Sequence, residues 1–260
     1  MGKTDFSTVT ELSGDEVSRE QVQRIANRYY WSASFCEGKD VLEVACGTGQ
    51  GLGFLKSKAR FLVAGDFSEE VLQVTWKHYA GRLPLMRFDA QHLPFRPASF
   101  NVVIIFEAVY YVPEADRFVA ECRRVLKPGG TVLLVTSNKD LFDFNPSPFS
   151  HRYFGVLELE SLFKQHGFAV KCYGDTPVNV LSWHQKLVRL VKALAVRFDL
   201  IPKTMAGKKL LKRLVFGSLV PMPTEIDEST GAYVEPAPLP LSQPNRDYKV
   251  LYCAATLVNS

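Results

Sequence analysis

The residues of this chain best placed to do chemistry are three acids and a cluster of glycines. Glu43 lies inside the apolar run Val41–Val44, and Asp66 closes Phe61-Leu62-Val63-Ala64-Gly65. Asp89 follows Leu85–Phe88. After Glu43 the chain reads Val44-Ala45-Cys46-Gly47-Thr48-Gly49-Gln50-Gly51. Glycines there let backbone approach a ligand that a Cβ would hold off. A turn that opens a helix also aims N–H groups and the positive helix end at that ligand. The spacing departs from the dinucleotide pattern G-x-G-x-x-G, because the third position is Leu52, and Gly-Lys-Ser/Thr of a phosphate loop is missing. An acid beside the loop repels phosphate and suits an amine-bearing or cationic ligand. A tight turn with no ligand would carry three glycines and a buried acid at a cost in stability with no packing gain.

The elements that must position these groups follow from periodicity. Val41–Val44, Phe61–Asp66, Leu85–Phe88, Phe100–Phe106 and Thr131–Thr136 read as strands, the first a buried parallel one and Phe100–Phe106 the most apolar and central. Helical patterns stand between them, with one more at Ser18–Phe35 ahead of the first strand and another at 114–126, which Pro128 and Gly129 terminate. That alternation defines a doubly wound, mostly parallel α/β sheet. Acids at three successive strand ends then face one crevice, where open α/β sheets bind ligands. Asp66 falls about twenty residues past the loop, where an acid meets ribose hydroxyls. Ser68 is able to cap the next helix, which leaves Asp66 for a ligand. Tyr29, on the first helix, either covers a ligand or packs in the core.

Composition narrows the class. The 260 residues are 47% hydrophobic and 22% charged with a net charge of +4, ordinary for a globular protein and too mild to point to nucleic acid. Five scattered cysteines without C-x-x-C argue for reduced thiols in a cytosolic setting and against a zinc site. No metal site is expected. The N-terminus shows no signal-peptide pattern and no apolar run reaches membrane-spanning length.

Taken in order, Val41–Gly51, Gly65-Asp66-Phe67-Ser68, Asp89-Ala90-Gln91-His92-Leu93-Pro94-Phe95, Ser99–Val103 and Arg123-Arg124-Val125-Leu126-Lys127-Pro128-Gly129-Gly130 resemble the class I S-adenosylmethionine-dependent methyltransferases. The resemblance covers residues 20–175. It implies a Rossmann-like sheet of seven strands whose last, antiparallel strand falls at 247–257. S-adenosylmethionine is the implied cofactor. By position, Gly47 and Gly49, flanked by Ala45 and Thr48, would lie under its methionine portion, and Glu43 would accept from its amino group. Asp66 would hold the ribose, with Phe67 against the adenine. Asp89, Ala90 and Gln91 would meet the adenine amino group. Phe106 and Glu107, with Tyr29, would line the region near the sulfonium. Ala45 departs from the family, which often has glycine there.

At the acceptor end, His151 lies in the segment after the fifth strand that should overhang the site, and it is the candidate base; Tyr110 and Tyr111 are candidate pocket residues. His78 and His166 are expected on outer helices as solvated surface groups, and His92 as a loop former. The segment 138–156 is aromatic and reads as a lid over an apolar or ring-containing acceptor. Residues 1–17 are expected to be loose, 18–175 to form the cofactor-binding core, 176–246 a helical, basic insertion, and 247–260 the strand that completes the sheet. In 184–213, nine Lys/Arg face one acid, so +8 is concentrated there and −4 is left on the rest. A basic amphipathic helix reads either as a cap over the acceptor pocket or as a contact with an anionic membrane. The Pro-rich stretch 221–246 should be extended and return the chain to the last strand. The expected activity is methyl transfer to a small or lipid-linked acceptor, at oxygen. The absence of an added RNA-binding module and of an Asn/Asp-Pro-Pro-Phe/Tyr signature argues against nucleic acid. A cofactor-binding subunit without turnover is the rival reading.

Overall fold

The structure, a computed structural model, describes residue 10, residues 12–178 and residues 219–258. The basic stretch 184–213, with the amphipathic helix expected in it, lies outside the described residues.

A single sheet organises the domain. Strands β2 (Asp40–Val44), β3 (Phe61–Asp66), β4 (Leu85–Arg87), β5 (Phe100–Phe106) and β6 (Leu126–Ser137) are joined by α2 (Leu52–Lys58), α3 (Glu69–Tyr79) and α4 (Ala115–Val125). After α5 (Val156–Lys164) come β7 (Phe168–Pro177), β9 (Ala237–Leu239) and β10 (Tyr248–Leu257), giving the spatial order β4-β3-β2-β5-β6-β10-β7-β9. β10 inserts antiparallel between β6 and β7. Seven strands therefore follow the expected pattern, and β9, from the Pro-rich stretch, adds an eighth on the β7 edge, antiparallel to it. β5 is apolar at nearly every position because it is central, with β2 and β6 on either side. One core packs α4 and α5 against the sheet, and the other packs α1 (Arg19–Cys36), α2 and α3. The five cysteines are buried and unpaired, and among the described residues no helix is long and apolar enough to cross a membrane.

Several local expectations change. β6 begins at Leu126 rather than Thr131. Leu126 pairs with Phe100, and the ladder then jumps to Val102↔Thr131, so Lys127–Gly130 forms a bulge inside the strand. Glu16 and Val17 do not belong to a loose terminus: as β1 (Glu16–Val17) they pair with β8 (Val220–Pro221). In the described part of the insertion, 219–246, the Pro-rich stretch forms no helix, as expected, and carries β8 and β9.

That returning segment straps α1 to the domain. The Asn27 carboxamide accepts from Val234 N–H at 2.8 Å and donates to Val234 O at 2.9 Å, a two-way pairing that imitates a strand neighbour. Asn27 also donates to Asp175, as does the Tyr252 hydroxyl. Tyr30 donates to Asp227 O, and Ile226 N–H to Gln50 O at 2.7 Å. His78 is not a free surface group: with Arg82 it grips Glu225 of the strap, at 2.6 Å. His166 sits in the turn after α5, 3.5 Å from Asp116.

Candidate functional site

A cavity of about 850 Å³ opens at the carboxyl ends of β2, β3 and β5, floored by the glycine turn and walled by α1. Its floor depends on unusual backbone. Gly47 and Gly49 have φ of +57° and +79°, and Ala45 is held at +55°. A Cβ at Gly51 would fall inside the Tyr29 ring, so glycine there is set by packing. Two hydroxyls of α3 brace the turn from below: Thr75 donates to Gly47 O at 2.7 Å and Tyr79 to Gly49 O at 2.6 Å. Sequence reasoning did not single out either, although both are polar residues on the buried face of α3, which is the signal that could have found them.

Glu43 is 2% exposed and reaches the cavity from β2. Tyr29 donates to its Oε1 at 2.6 Å, while Oε2 is buried with no protein partner. Burial pushes the Glu43 carboxyl up to about 7, against a pull downward from the Tyr29 hydrogen bond and the Arg28 charge. Tyr29 packs in the core, one of the two readings left open for it. Its ring packs edge-on to Phe106 at 5.3 Å, and its hydroxyl meets the site. The Arg28 guanidinium lies 5.6 Å from the centre of the Tyr29 ring and also lines the cavity.

The structure brings Asp66, Phe67, Asp89, Ala90 and Gln91 to the same cavity wall. Asp66 is not left free by Ser68. Its Oδ2 accepts from Gly47 N–H at 3.0 Å and its Oδ1 from Ser68 N–H at 2.9 Å, while Ser68 Oγ caps α3. Burial raises the Asp66 carboxyl, and those N–H groups oppose the rise. Phe67 is 54% exposed at the rim, with Arg87 behind its ring, so an apolar face is offered to whatever enters. Asp89 accepts from Gln91 N–H at 2.8 Å, and Gln91 Oε1 accepts from Glu114 N–H at 3.0 Å, which locks this loop against the start of α4. Thr48 is buried and does not line the cavity, unlike its neighbours Ala45 and Gly47.

At the other end stand Glu107, Tyr110, Tyr111, Ser147 and His151. Glu107 follows β5 with φ +52°. Its Oε2 accepts from Ser137 Oγ at 3.0 Å and from Tyr110 Oη at 3.2 Å, and Arg24 of α1 stands 3.7 Å from its Oε1. Burial, then the Glu107 charge, pushes the Tyr110 hydroxyl well up, which makes Tyr110 a donor rather than a base. Tyr110 stacks on Tyr153 at 4.3 Å, and Tyr111 shares a 2.6 Å hydrogen bond with Ser147. His151 is exposed at the mouth and donates its backbone N–H to Tyr110 O at 2.7 Å. The aromatic segment splits: Phe142 and Phe149 are exposed, whereas Phe154 is buried in the core and cannot serve a lid. Arg24, Arg28 and Ser137 were not foreseen. Arg24 and Arg28 fall one helical turn apart on the α1 face that carries Tyr29, a spacing visible in the sequence. Among the described residues no group of three His, Cys, Asp or Glu could hold a metal.

Residues 42–134 match the family model described as "Methyltransferase domain". The chain is 35% identical over 158 residues to a protein of Mycolicibacterium smegmatis named "Probable S-adenosylmethionine-dependent methyltransferase", covering 57% of this chain and 56% of that protein. It is 37% identical over 123 residues to the phthiotriol/phenolphthiotriol dimycocerosates methyltransferase 1 of Mycobacterium ulcerans, covering 45% of each. The solved structure of an Archaeoglobus fulgidus SAM-dependent methyltransferase superposes with a TM-score of 0.54 at 16% identity, covering 92% of this chain and 94% of that one, a likeness of fold. The chain spans about half the length of the curated relatives it matches. Over residues 42–134 the chain is thus similar to methyltransferase domains, and the relatives it matches are named as S-adenosylmethionine-dependent methyltransferases. The family implies that cofactor, and the site fits it at a testable point: a buried carboxylate oxygen without a partner, beside a glycine floor, is what an ammonium-bearing ligand satisfies.

Proposed function

We propose that the protein transfers a methyl group from S-adenosylmethionine to a small-molecule or lipid-linked acceptor, at oxygen. The observation that carries this reading is Glu43 Oε2, buried and unpartnered at the cavity wall. Glu43 receives the cofactor's ammonium group, and Gly47, with Ala45 beside it, lies under its methionine portion, on a turn that Gly49 shapes from beneath. Asp66, its carboxylate fixed by Gly47 and Ser68 N–H groups, holds the ribose hydroxyls. Phe67 covers the adenine, and Asp89, Ala90 and Gln91 meet its amino edge. Tyr29, Phe106 and Glu107 enclose the region of the sulfonium. S-adenosylmethionine supplies a sulfonium-bound methyl group open to in-line displacement. The chain's residues supply alignment and exclusion of water, which suffice for much of such a barrier.

A lipid-linked acceptor is supported by the relative named for dimycocerosates, by exposed Phe142 and Phe149 on the loop that carries Ser147 and His151, and by the +8 concentrated in 184–213. That basic stretch would bring the protein to an anionic membrane surface. Transfer of labelled methyl groups into a cell extract tests the activity, and the labelled product identifies the acceptor. Calorimetry with S-adenosylhomocysteine tests the cofactor: no binding would end the reading. Co-sedimentation with anionic vesicles that is absent, or insensitive to salt, would remove the membrane contact.

A further inference from the structure

Glu107 has features beyond what enclosing the sulfonium region requires. It is a non-glycine residue in the left-handed region at the end of the central strand, a conformation that costs on the order of 1 kcal/mol and persists only where its surroundings impose it. Its N–H donates to Val135 O at 2.7 Å, which fixes the turn. The strain turns the side chain into the cavity, where it is 18% exposed. Ser137 and Tyr110 occupy Oε2. Among the described residues Oε1 meets only the Arg24 guanidinium, at 3.7 Å, beyond hydrogen-bond range.

A carboxylate at this point selects among acceptor chemistries. An enolate or other carbanion would be repelled. An amine would be held as ammonium, whose lone pair is blocked. A hydroxyl is matched: it donates to the carboxylate, and its oxygen gains nucleophilicity as the proton moves away. Tyr110 and Tyr111 line the cavity beside Glu107 and, with Tyr153, form an aromatic cluster against which a ring can pack. We propose that Glu107 orients and deprotonates the hydroxyl of a ring-bearing acceptor seated against Tyr110 and Tyr111.

This rests on the methyltransferase reading. In the step, Glu107 takes the hydroxyl proton while the oxygen bonds to the methyl carbon. The electron pair of the broken carbon–sulfur bond stays on sulfur, which becomes neutral. Glu107 then returns its proton to water at the mouth, beside exposed His151. The charged and titratable groups that face Glu107 are Arg24 from α1, Tyr110 and Tyr111 from the turn after β5, and Tyr153 from the segment before α5. Of these, Tyr110 donates a hydrogen bond to Glu107, while Tyr153 accepts from Ser147 N–H and Tyr111 pairs with Ser147 Oγ.

The test uses 4-nitrophenol, whose colour reports its ionisation, and 4-nitroanisole, which has the ring but no proton. Each is titrated into the full chain saturated with S-adenosylhomocysteine, as wild type and as Glu107→Gln. Wild type should bind the nitrophenol in its colourless, protonated form and raise its apparent pKa. In Glu107→Gln that rise should shrink and affinity for the phenol should fall about tenfold, because a charge-assisted hydrogen bond is replaced by a neutral one. 4-Nitroanisole should bind both proteins alike. Once the product is known, turnover at saturating cofactor should fall by about 10²–10⁴. Unchanged phenol binding and colour in Glu107→Gln, equal loss with 4-nitroanisole, or no phenol binding to cofactor-loaded wild type would each overturn the proposal. Failure of S-adenosylhomocysteine to bind wild type would instead sink the methyltransferase reading. Should Glu107→Gln not fold, Glu107→Asp tolerates the left-handed backbone and withdraws the carboxylate by one methylene; undiminished phenol binding there would count against Glu107 equally.

Discussion

Replacing Glu43 by glutamine should stabilise the empty protein and weaken its hold on the cofactor at the same time. The carboxyl titrates at 4.5 in an unfolded chain and is pushed up to about 7 by burial in the folded one. A group whose folded value is raised contributes stability that is complete below 4.5 and is lost as pH rises through 7. Above that pH the folded protein carries a buried charge that the unfolded chain holds in water without penalty. At about 1.4 kcal/mol per pH unit, the gap from 4.5 to 7 amounts to about 3 kcal/mol. Glutamine removes the charge and keeps an acceptor for Tyr29, but it adds an amide N–H₂ that costs about 1–2 kcal/mol if unpaired. The expected net gain at pH 8 is about 1–2 kcal/mol, or ~3–6 °C in midpoint for a chain of this size, shrinking toward zero or reversing at pH 4.5. Urea or thermal denaturation at the two pH values reads it. Loss of a charge-assisted contact to the ligand's ammonium should weaken S-adenosylhomocysteine by about 10–100-fold in calorimetry at pH 8. In the wild type the same affinity should decline as pH falls below 7, because protonated Glu43 no longer attracts a cation. A variant destabilised equally at both pH values, with undiminished cofactor affinity, would refute this reasoning.

Three other perturbations read different parts of the site. Ala45→Gly should be neutral to stabilising by up to ~1 kcal/mol, because relief at φ +55° offsets the entropy of glycine, and Ala45→Val should destabilise; denaturation midpoints decide. Gly51→Ala places a methyl group inside the Tyr29 ring, so Tyr29 must leave Glu43; both stability and cofactor affinity should fall, and removing the ring in Gly51→Ala/Tyr29→Leu should recover part of the stability. Asn27→Leu breaks the two-way pairing with Val234 and the bond to Asp175, and should cost about 2–4 kcal/mol with earlier proteolytic cleavage in 219–239.

Local pattern made much of the domain legible. The apolar runs at 41–44, 61–66 and 100–106 are strands because each is buried on both faces, and period and burial agree there. The cavity residues are legible for the same reason: strand ends are fixed once strands are. What stayed hidden is made by contacts distant in sequence. Nothing near Glu16 announces a partner at Pro221, and nothing in Asn27 announces Val234. Lys127-Pro128-Gly129-Gly130 carries a turn signal, yet pairing with β5 on both sides absorbs it as a bulge. Asp66 looked free because Ser68 caps α3. The backbone N–H groups of Gly47 and Ser68 still needed an acceptor, and sequence spacing does not reveal which side chain provides it.

The strap explains why the cavity has its α1 wall at all. α1 packs on the sheet through Ile25, Ala26, Trp31 and Cys36, but its inner face also carries Arg24, Arg28 and Tyr29, groups that do not bury themselves cheaply. Tyr29 closes on Glu43 and Arg24 approaches Glu107, so one helix touches both carboxylates that bracket the cavity. The helix is held there from outside by Asn27, Tyr30 and the β1–β8 pair, all of which grip the segment 219–239. That segment is the end of the long connection whose basic residues 184–213 are proposed to meet a membrane. A force or ligand acting on the connection would therefore be felt first at α1, and through it at Glu43 and Glu107 together. A change in the connection should shift cofactor affinity and acceptor affinity in the same direction, whereas a change in the glycine floor should move the cofactor alone.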